Sequence, residues 1–204
     1  MRPRRRPCTN YILAATVAVF VLQLAFSTKE GVDWFTSLFA FTPALALMQP
    51  WTFVTAIFLH GGFWHIFLNM FTLSMFGPLL ERKIGSRKFL LLYFGTGILG
   101  NIGFFLLSAD PAIPGLGASG AIYGILCALA VLEPNIPVYM FFFTPLPLWM
   151  AAVIWAMLNF MGTVFDLAGG IGYSAHLAGL FAGAAYAYSE RKKHRGILEE
   201  YGLA

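Results

Sequence analysis

Charged residues are scarce in this chain. Asp, Glu, Lys and Arg make up 11% of its 204 residues, whereas water-soluble domains carry about 25%. Apolar residues make up 59%, which excludes a water-soluble globular protein. Because no stretch is polar enough to fold separately in water, we expect one integral membrane domain over residues 1–204.

Cysteine and metal-binding patterns are also missing. Cys8 and Cys127 are too few for a disulfide framework and too far apart for a CxxC metal site. His65 is followed by Ile-Phe-Leu-Asn and therefore lacks the glutamate of the zinc motif H-E-x-x-H. We expect neither a cofactor nor a metal.

Long apolar runs, in contrast, are abundant. Crossing about 30 Å of hydrocarbon takes roughly 20 apolar residues in a helix, with about 17 as the practical minimum. Backbone groups cannot stay unpaired in lipid, so the predicted fold class is all-α, a polytopic bundle of six transmembrane helices. The fourth helix is short, and its ends should lie in protein rather than in lipid. The predicted helices cover residues 11–27, 62–80, 89–108, 118–132, 146–165 and 174–189.

Basic residues form three clusters. The net charge of +4 could suggest a nucleic-acid partner, but 12 of the 13 Lys and Arg lie before the first helix, after the second or after the last. Six crossings bring these clusters to one side, which the positive-inside rule makes cytoplasmic. We therefore expect the lipid bilayer and no nucleic acid as a partner, and both termini in the cytoplasm of a prokaryotic cell. A cleaved secretory signal is the disfavoured alternative, because it would leave five helices. The outer face would carry Glu30, Asp33, Asp110 and Asp166 against Lys29.

Two connections are unusual. Residues 28–61 are rich in Trp, Phe and Pro, and connections this long are usually functional or disordered. We expect them to form an ordered loop that is partly embedded at the membrane interface. Residues 141–147 form the other irregular stretch, where Pro145 and Pro147 should delay the start of the fifth helix.

Several polar residues lie inside the predicted helices, where an ionisable side chain costs about 2.5 to 3.5 kcal/mol. The second, fourth and sixth helices run from outside to inside. His65, Asn69, Ser119 and His176 all fall in their first one or two turns. These four residues should therefore share one depth in the outer third of the bilayer.

The remaining polar residues have simpler interpretations. Asn101 and Asn159 are predicted to form interhelical hydrogen bonds. His60 is interpreted as a supporting hydrogen-bond partner at the start of the second helix.

The spacing of these four residues in the sequence limits how their side chains can be arranged. His65 and Asn69 are four residues apart and project from one helix face. Ser119 opens the fourth helix at its positive dipole end, where an oxyanion would be stabilised. Two stripes of small residues let the fourth and sixth helices pack closely, which would bring the hydroxyl of Ser119 towards the imidazole of His176. The stripes are Gly120, Gly124 and Ala128 on one helix and Ala175, Gly179, Gly183 and Ala187 on the other.

At these residues the sequence resembles the rhomboid family of intramembrane serine proteases. His60-Gly-Gly-Phe-Trp-His65-Ile-Phe-Leu-Asn69, followed by Glu81-Arg82, is similar to the family's second-helix signature. Gly117-Ala-Ser119-Gly120 with Tyr123 is similar to its nucleophile motif. Ala175-His176-x-x-Gly179-x-x-x-Gly183 is similar to its sixth-helix motif. The resemblance covers residues 50 to 190.

The resemblance implies a role for each of these residues. Ser119 is the nucleophile and His176 the general base, while His65, Asn69 and Ser119 stabilise the oxyanion. Tyr123 packs on the imidazole. His60, Gly117, Gly120, Gly179 and Gly183 are supporting residues. The family's usual Trp-Arg pair in the first loop reads Trp51-Thr52 here, a departure that concerns the bonding inside the loop and not the catalytic residues.

The expected function is an endopeptidase that cleaves transmembrane protein substrates near the outer face through a Ser–His dyad. No Asp or Glu lies inside a helix near His176, so a third member is not visible, and a dyad suffices in principle. Aspartyl and Ser–Lys chemistry are disfavoured because no intramembrane Asp pair and no Lys at that depth exist.

Two alternatives remain open at this point. A proton-coupled transporter would use His65 and His176 as a relay and predicts inverted repeats, of which none is evident. A catalytically inactive rhomboid-like protein that binds membrane clients would need neither Ser119 nor His176.

Overall fold

The computed structural model describes residues 7–26, 34–140, 144–165 and 172–200, and only the backbone of residues 140, 144 and 194–200. These residues are mostly helical. The α-helices are α1 (Cys8–Phe26), α2 (Trp34–Phe39), α3 (Thr52–Thr55), α4 (Phe63–Ile84), α5 (Ser86–Leu107), α6 (Ser119–Leu132), α7 (Leu148–Phe165) and α8 (Tyr173–Glu200). Short 3-10 helices cover Pro43–Leu45 and Ala56–Phe58.

Four of the described helices are long and apolar enough to cross a membrane: α1, α4, α5 and α7. By this criterion the predicted count of six is not reached. Helix α6 has only 14 residues, and the polar side chains of α8, such as His176 and Tyr186, lower its mean hydropathy. The finding supports a multi-pass membrane bundle.

Helix α6 lies at the centre of the bundle. Ten of its 14 residues are buried, and it packs against α4, α5, α7 and α8. Since protein rather than lipid surrounds its sides, the helix does not need the length of a lipid-exposed span. The expectation that its ends lie in protein stays a prediction.

The described part of the chain is mostly helical, as predicted, and departs from an all-α bundle at one pair of strands. Two short strands, β1 (Pro137–Met140) and β2 (Thr144–Pro147), pair antiparallel, with Val138 opposite Leu146. Proline has no N–H and disfavours a helical conformation in the residue before it, so Pro145 and Pro147 keep this segment extended. Helix α7 begins directly after Pro147, as the two prolines predicted. Residues 141–143 lie outside the described part of the chain.

The described part of the long first connection, residues 34–61, is ordered by side-chain hydrogen bonds to its own backbone. Trp51 Nε1 donates to the Leu38 carbonyl at 2.8 Å, and Thr55 Oγ1 donates to the Phe39 carbonyl at 2.8 Å. Thr52, at the position where the resemblance implies an arginine, is 1% exposed and donates to the Gln49 carbonyl at 2.6 Å. The loop is therefore held without an arginine at position 52.

Charged contacts lie at the end of the bundle where α4 ends and α5 begins. The buried carboxylate of Glu81 accepts the backbone N–H groups of Cys8 and Thr9, at 2.6 and 2.9 Å, and the hydroxyl of Ser86 at 2.6 Å. It thereby caps α1 and ties it to α4 and α5. The pairs Lys83–Glu133 and Lys88–Glu190 lie at the same end. Of the acidic residues expected on the opposite face, Asp110 is described, whereas Glu30, Asp33 and Asp166 lie outside the described ranges.

Candidate active site

Ser119 is the first residue of α6 and follows a glycine that shapes the turn. Gly117 has a φ of +128°, a backbone angle that residues with a Cβ rarely adopt. Its N–H donates to the Ala56 carbonyl at 2.9 Å. A Cβ at position 117 would lie 2.8 Å from Cε1 of His65. Glycine is required here for both the backbone conformation and the approach of His65.

Ser119 and His176 meet across the interface of α6 and α8. The Oγ atom of Ser119 lies 2.7 Å from Nε2 of His176. The stripes of small residues produce this proximity, because a Cβ at Gly179 or Gly183 would collide with the carbonyl group of Gly120 or Gly124. The backbones therefore touch, as expected for small residues spaced four apart.

Asn159 contacts the other ring nitrogen of His176. Its Oδ1 atom lies 2.9 Å from Nδ1 of His176, and its side chain is 3% exposed. The expectation of an interhelical hydrogen bond is met, with His176 as the partner, which the sequence reasoning did not foresee. A signal was present, because Asn159 lies in the second half of α7, and the end of that helix is separated from the start of α8, which carries His176, by a short connection.

Tyr123 lies one turn after Ser119 on α6. Its ring stacks on the imidazole of His176 with 4.6 Å between ring centroids and 25° between planes. The phenol ring and the amide of Asn159 thus restrict the imidazole from two sides.

His60 and His65 support the turn that precedes Ser119. The buried His60 accepts the N–H of Ala118 at Nε2 over 3.5 Å, and its own backbone is held by the side chain of Gln23 on α1. Its ring meets that of His65 edge to face at 5.0 Å. His65 Nδ1 accepts the N–H of Gly61 at 3.3 Å.

Asn69 is placed differently from the other candidates. Its Nδ2 donates to the carbonyl of His65, one turn earlier on α4, at 2.8 Å. It is 7% exposed and is not among the residues that line the cavity described next. The structure brings Ser119, His176 and His65 together at this cavity, whereas Asn69 is not part of its lining.

A cavity of about 380 Å³ contains Ser119, His65 and His176. Helices α4, α6 and α8 contribute to its walls, as predicted, and α5 and α7 add Asn101 and Thr163. The expectation that the loop over residues 28–61 narrows the cavity was largely wrong, since Gly61 is its one lining residue among those described. The segment over residues 108–117, which follows α5, forms this part of the cavity wall instead. The starts of α4, α6 and α8 line the cavity, whereas the ion pairs lie where α4 ends and α5 begins. The cavity and the ion pairs are therefore at opposite ends of the bundle.

Known proteins resemble the chain over most of its length. A family model described as Rhomboid domain matches residues 47–193. The rhomboid YdcA of Bacillus subtilis is 36% identical over 122 residues, which cover 60% of each chain. Rhomboid protein 1, mitochondrial, of Saccharomyces cerevisiae is 33% identical over 141 residues, 66% of this chain and 40% of the relative. Rhomboid-type serine protease 2 of Emericella nidulans is 32% identical over 159 residues, 76% of this chain and 30% of the relative.

The fold and the site define a multi-pass integral membrane protein in which a serine and a histidine from neighbouring helices meet in a cavity. The chain belongs to the rhomboid family, which confirms the resemblance in its sequence. It spans 60% or less of the length of the relatives named above.

Proposed function

We propose that this protein is an intramembrane serine endopeptidase that cleaves transmembrane protein substrates near the outer membrane face. The observation that carries the proposal is the 2.7 Å approach of Ser119 Oγ to His176 Nε2 inside a cavity. A serine hydroxyl is a weak nucleophile alone and becomes reactive when a neutral base accepts its proton. The family membership and the protease names of several relatives support the same activity.

The bonds that form and break in the proposed reaction involve only this pair, the substrate and water. Ser119 Oγ attacks the scissile carbonyl carbon while its proton passes to Nε2 of His176. When the C–N bond breaks, the same proton passes to the leaving amine, and an acyl ester remains on Ser119. His176 then takes a proton from water, the resulting hydroxide attacks the ester, and the proton returns to Oγ as the acid product leaves.

His65 is the proposed donor to the oxyanion. Since its Nδ1 accepts the N–H of Gly61, the neutral ring carries its proton on Nε2. Gly117 lies next to Nε2 and Cε1 of His65 and close to Oγ of Ser119, so this edge of the His65 ring faces Ser119. The backbone N–H of Ser119, in the unpaired first turn of α6, is a second donor. Asn69 contributes by fixing the carbonyl of His65.

The proposed topology has six crossings and both termini in the cytoplasm. Helix α6 is enclosed by its neighbours, so its 14 residues cross within protein. The ion pairs of Lys83 and Lys88 lie at the basic end, which the positive-inside rule makes cytoplasmic. Ser119 then faces the outer side, and substrates are cut in the outer part of their transmembrane segments.

Reconstitution into liposomes tests this function. Wild-type protein and the Ser119→Ala variant are incubated with a single-pass substrate, and the products are mapped by mass spectrometry. We expect cleavage in the outer part of the substrate by the wild type alone. Substrate binding without cleavage by either protein would favour the inactive client-binding alternative, and proton flux without cleavage would favour the transporter.

A further inference from the structure

The amide of Asn159 can be oriented from its hydrogen bonds. The amide has one oxygen acceptor and one NH2 donor, and its Nδ2 donates to the backbone carbonyl of Trp155 at 2.8 Å. A carbonyl can only accept, so this contact places the NH2 group towards Trp155. The Oδ1 atom is therefore the one that faces His176, at 2.9 Å from Nδ1.

This orientation determines the tautomer of His176. An amide oxygen only accepts, so Nδ1 of His176 must carry the hydrogen. The neutral ring then has its lone pair on Nε2, and that lone pair faces the hydroxyl of Ser119 at 2.7 Å. The opposite tautomer would place a hydrogen on Nε2, and the base could not accept the proton of Ser119.

We propose that Asn159 is a positioning residue that holds His176 in the Nδ1–H tautomer and thereby completes a Ser–His–Asn relay across α6, α8 and α7. This inference rests on the proposed protease function. Asn159 acts through His176 and does not touch substrate. It occupies the place that a carboxylate holds in a Ser–His–Asp triad, where a wrong tautomer costs about 10⁴-fold in kcat.

The surroundings favour a neutral partner. The titratable groups that face this part of the cavity are His65 on α4, Tyr123 on α6 and Tyr173 on α8, together with Asp110 on the loop after α5. Asp110 is exposed, and its Oδ1 accepts the N–H of Ala112. Among the described cavity residues, no carboxylate therefore pairs with His176, and the amide of Asn159 orients the base without adding charge.

The experiment uses the full chain in lipid nanodiscs with three variants: Asn159→Ala, Asn159→Asp and Asn101→Ala. Asn101 is the matched control, because its amide lines the same cavity but donates to the carbonyl of Phe53. One readout is the rate of labelling by a serine-directed fluorophosphonate as a function of pH. The other is ¹⁵N NMR of histidine-labelled protein, which reports the tautomer. The chain has four histidines, and the His176 signals are assigned by their loss in His176→Ala.

We expect wild-type His176 to carry its proton on Nδ1, and Asn159→Ala to show a mixture of tautomers. Labelling of that variant should fall about 10- to 100-fold, less than the full 10²- to 10⁴-fold contribution of a positioned base. Asn159→Asp retains the acceptor and adds charge that stabilises the imidazolium. It should recover labelling, with the acid limb of the pH profile moved to higher pH. Asn101→Ala should keep the tautomer and the position of that limb.

The proposal is overturned if Asn159→Ala keeps both the wild-type tautomer and the wild-type labelling rate. If Asn159→Ala does not fold, Asn159→Asp decides, and an unmoved acid limb in a folded Asn159→Asp contradicts the proposal. The NMR readout needs no turnover. A wild-type protein that carries the Nδ1 proton but is never labelled would contradict the protease function and not the orienting role of Asn159.

Discussion

Gly179 on α8 packs directly against the carbonyl group of Gly120, the residue that follows Ser119 on α6, and no room is left for a side-chain carbon. Gly183 repeats this contact with Gly124 one turn deeper. Because His176 lies one turn before Gly179, the separation of the two backbones sets the distance between Nε2 of His176 and Oγ of Ser119.

Gly179→Ala should therefore separate the reacting atoms as well as destabilise the bundle. We expect overpacking to cost about 1–3 kcal/mol in stability and the rate of fluorophosphonate labelling to fall at least tenfold. Gly95→Ala is the control, since a Cβ at Gly95 on α5 meets no atom within 4 Å. It should be neutral or stabilising by up to about 1 kcal/mol. Thermal unfolding and labelling of both variants test the prediction, and wild-type labelling in Gly179→Ala would contradict it.

Gly117→Ala should remove activity by displacing His65. Alanine in such a sparsely populated backbone region costs about 1–3 kcal/mol, and its Cβ would also press on the imidazole. Gly85 has a φ of +84° and open space around it, so Gly85→Ala has the backbone strain without the collision. We expect both variants to lose stability, Gly117→Ala the more because of the added collision, and only Gly117→Ala to lose substrate cleavage. Equal cleavage by the two variants would argue against a role for His65 at the oxyanion.

Asn69→Ala should be milder than His65→Ala. The amide of Asn69 is engaged with the His65 carbonyl on its own helix, so its removal affects the oxyanion donor indirectly. We expect it to cost about 3 kcal/mol or less of transition-state stabilisation, the range for loss of one oxyanion donor. Values of kcat/KM for cleavage of a transmembrane substrate provide the measurement. A loss as complete as that of Ser119→Ala would give Asn69 a different role.

Good substrates should contain residues that unwind a helix near the cut. A helical segment hides each carbonyl in a hydrogen bond, so Ser119 can attack only an unwound stretch. Glycine lowers the cost of unwinding by about 1 kcal/mol and proline by about 3 kcal/mol relative to alanine. Replacing Gly and Pro in the outer half of a model substrate with Leu should reduce cleavage, whereas the same change in the inner half serves as the control. Unaltered cleavage, or cuts in the cytoplasmic half, would contradict the unwinding argument.

The gathering of three candidate residues could be predicted from the sequence because each lies near the start of a predicted helix and those three helices were predicted to run in the same direction. His65, Ser119 and His176 lie near the starts of α4, α6 and α8, and the structure places them around one cavity. The close packing of α6 and α8 was also predictable, since glycines at 120, 124, 179 and 183 leave a groove on each helix.

The features that the sequence did not reveal depend on the orientation of a helix about its axis, on strand pairing and on the path of a loop. Asn159 could be assigned to an interhelical bond, but its partner depended on the rotation of α7 about its axis. The β-hairpin depended on pairing between Val138 and Leu146, which no period in so short a segment indicates. The contribution of residues 108–117 to the cavity followed from a loop path set by backbone contacts, such as the bridge between Phe41 and Gly115.

The central claim is that Ser119 is a nucleophile activated by His176, and labelling of the full chain in a bilayer tests it most directly. A fluorophosphonate should modify the wild type at Ser119, as located by mass spectrometry of the adduct. Ser119→Ala and His176→Ala should each lose the label almost completely. The double variant should lose little more, because residues that act as a unit are not additive. Ser74→Ala, which changes an exposed serine bonded to its own helix, should label like the wild type. Labelling that persists in Ser119→Ala, or that maps to another residue of the wild type, would contradict the account.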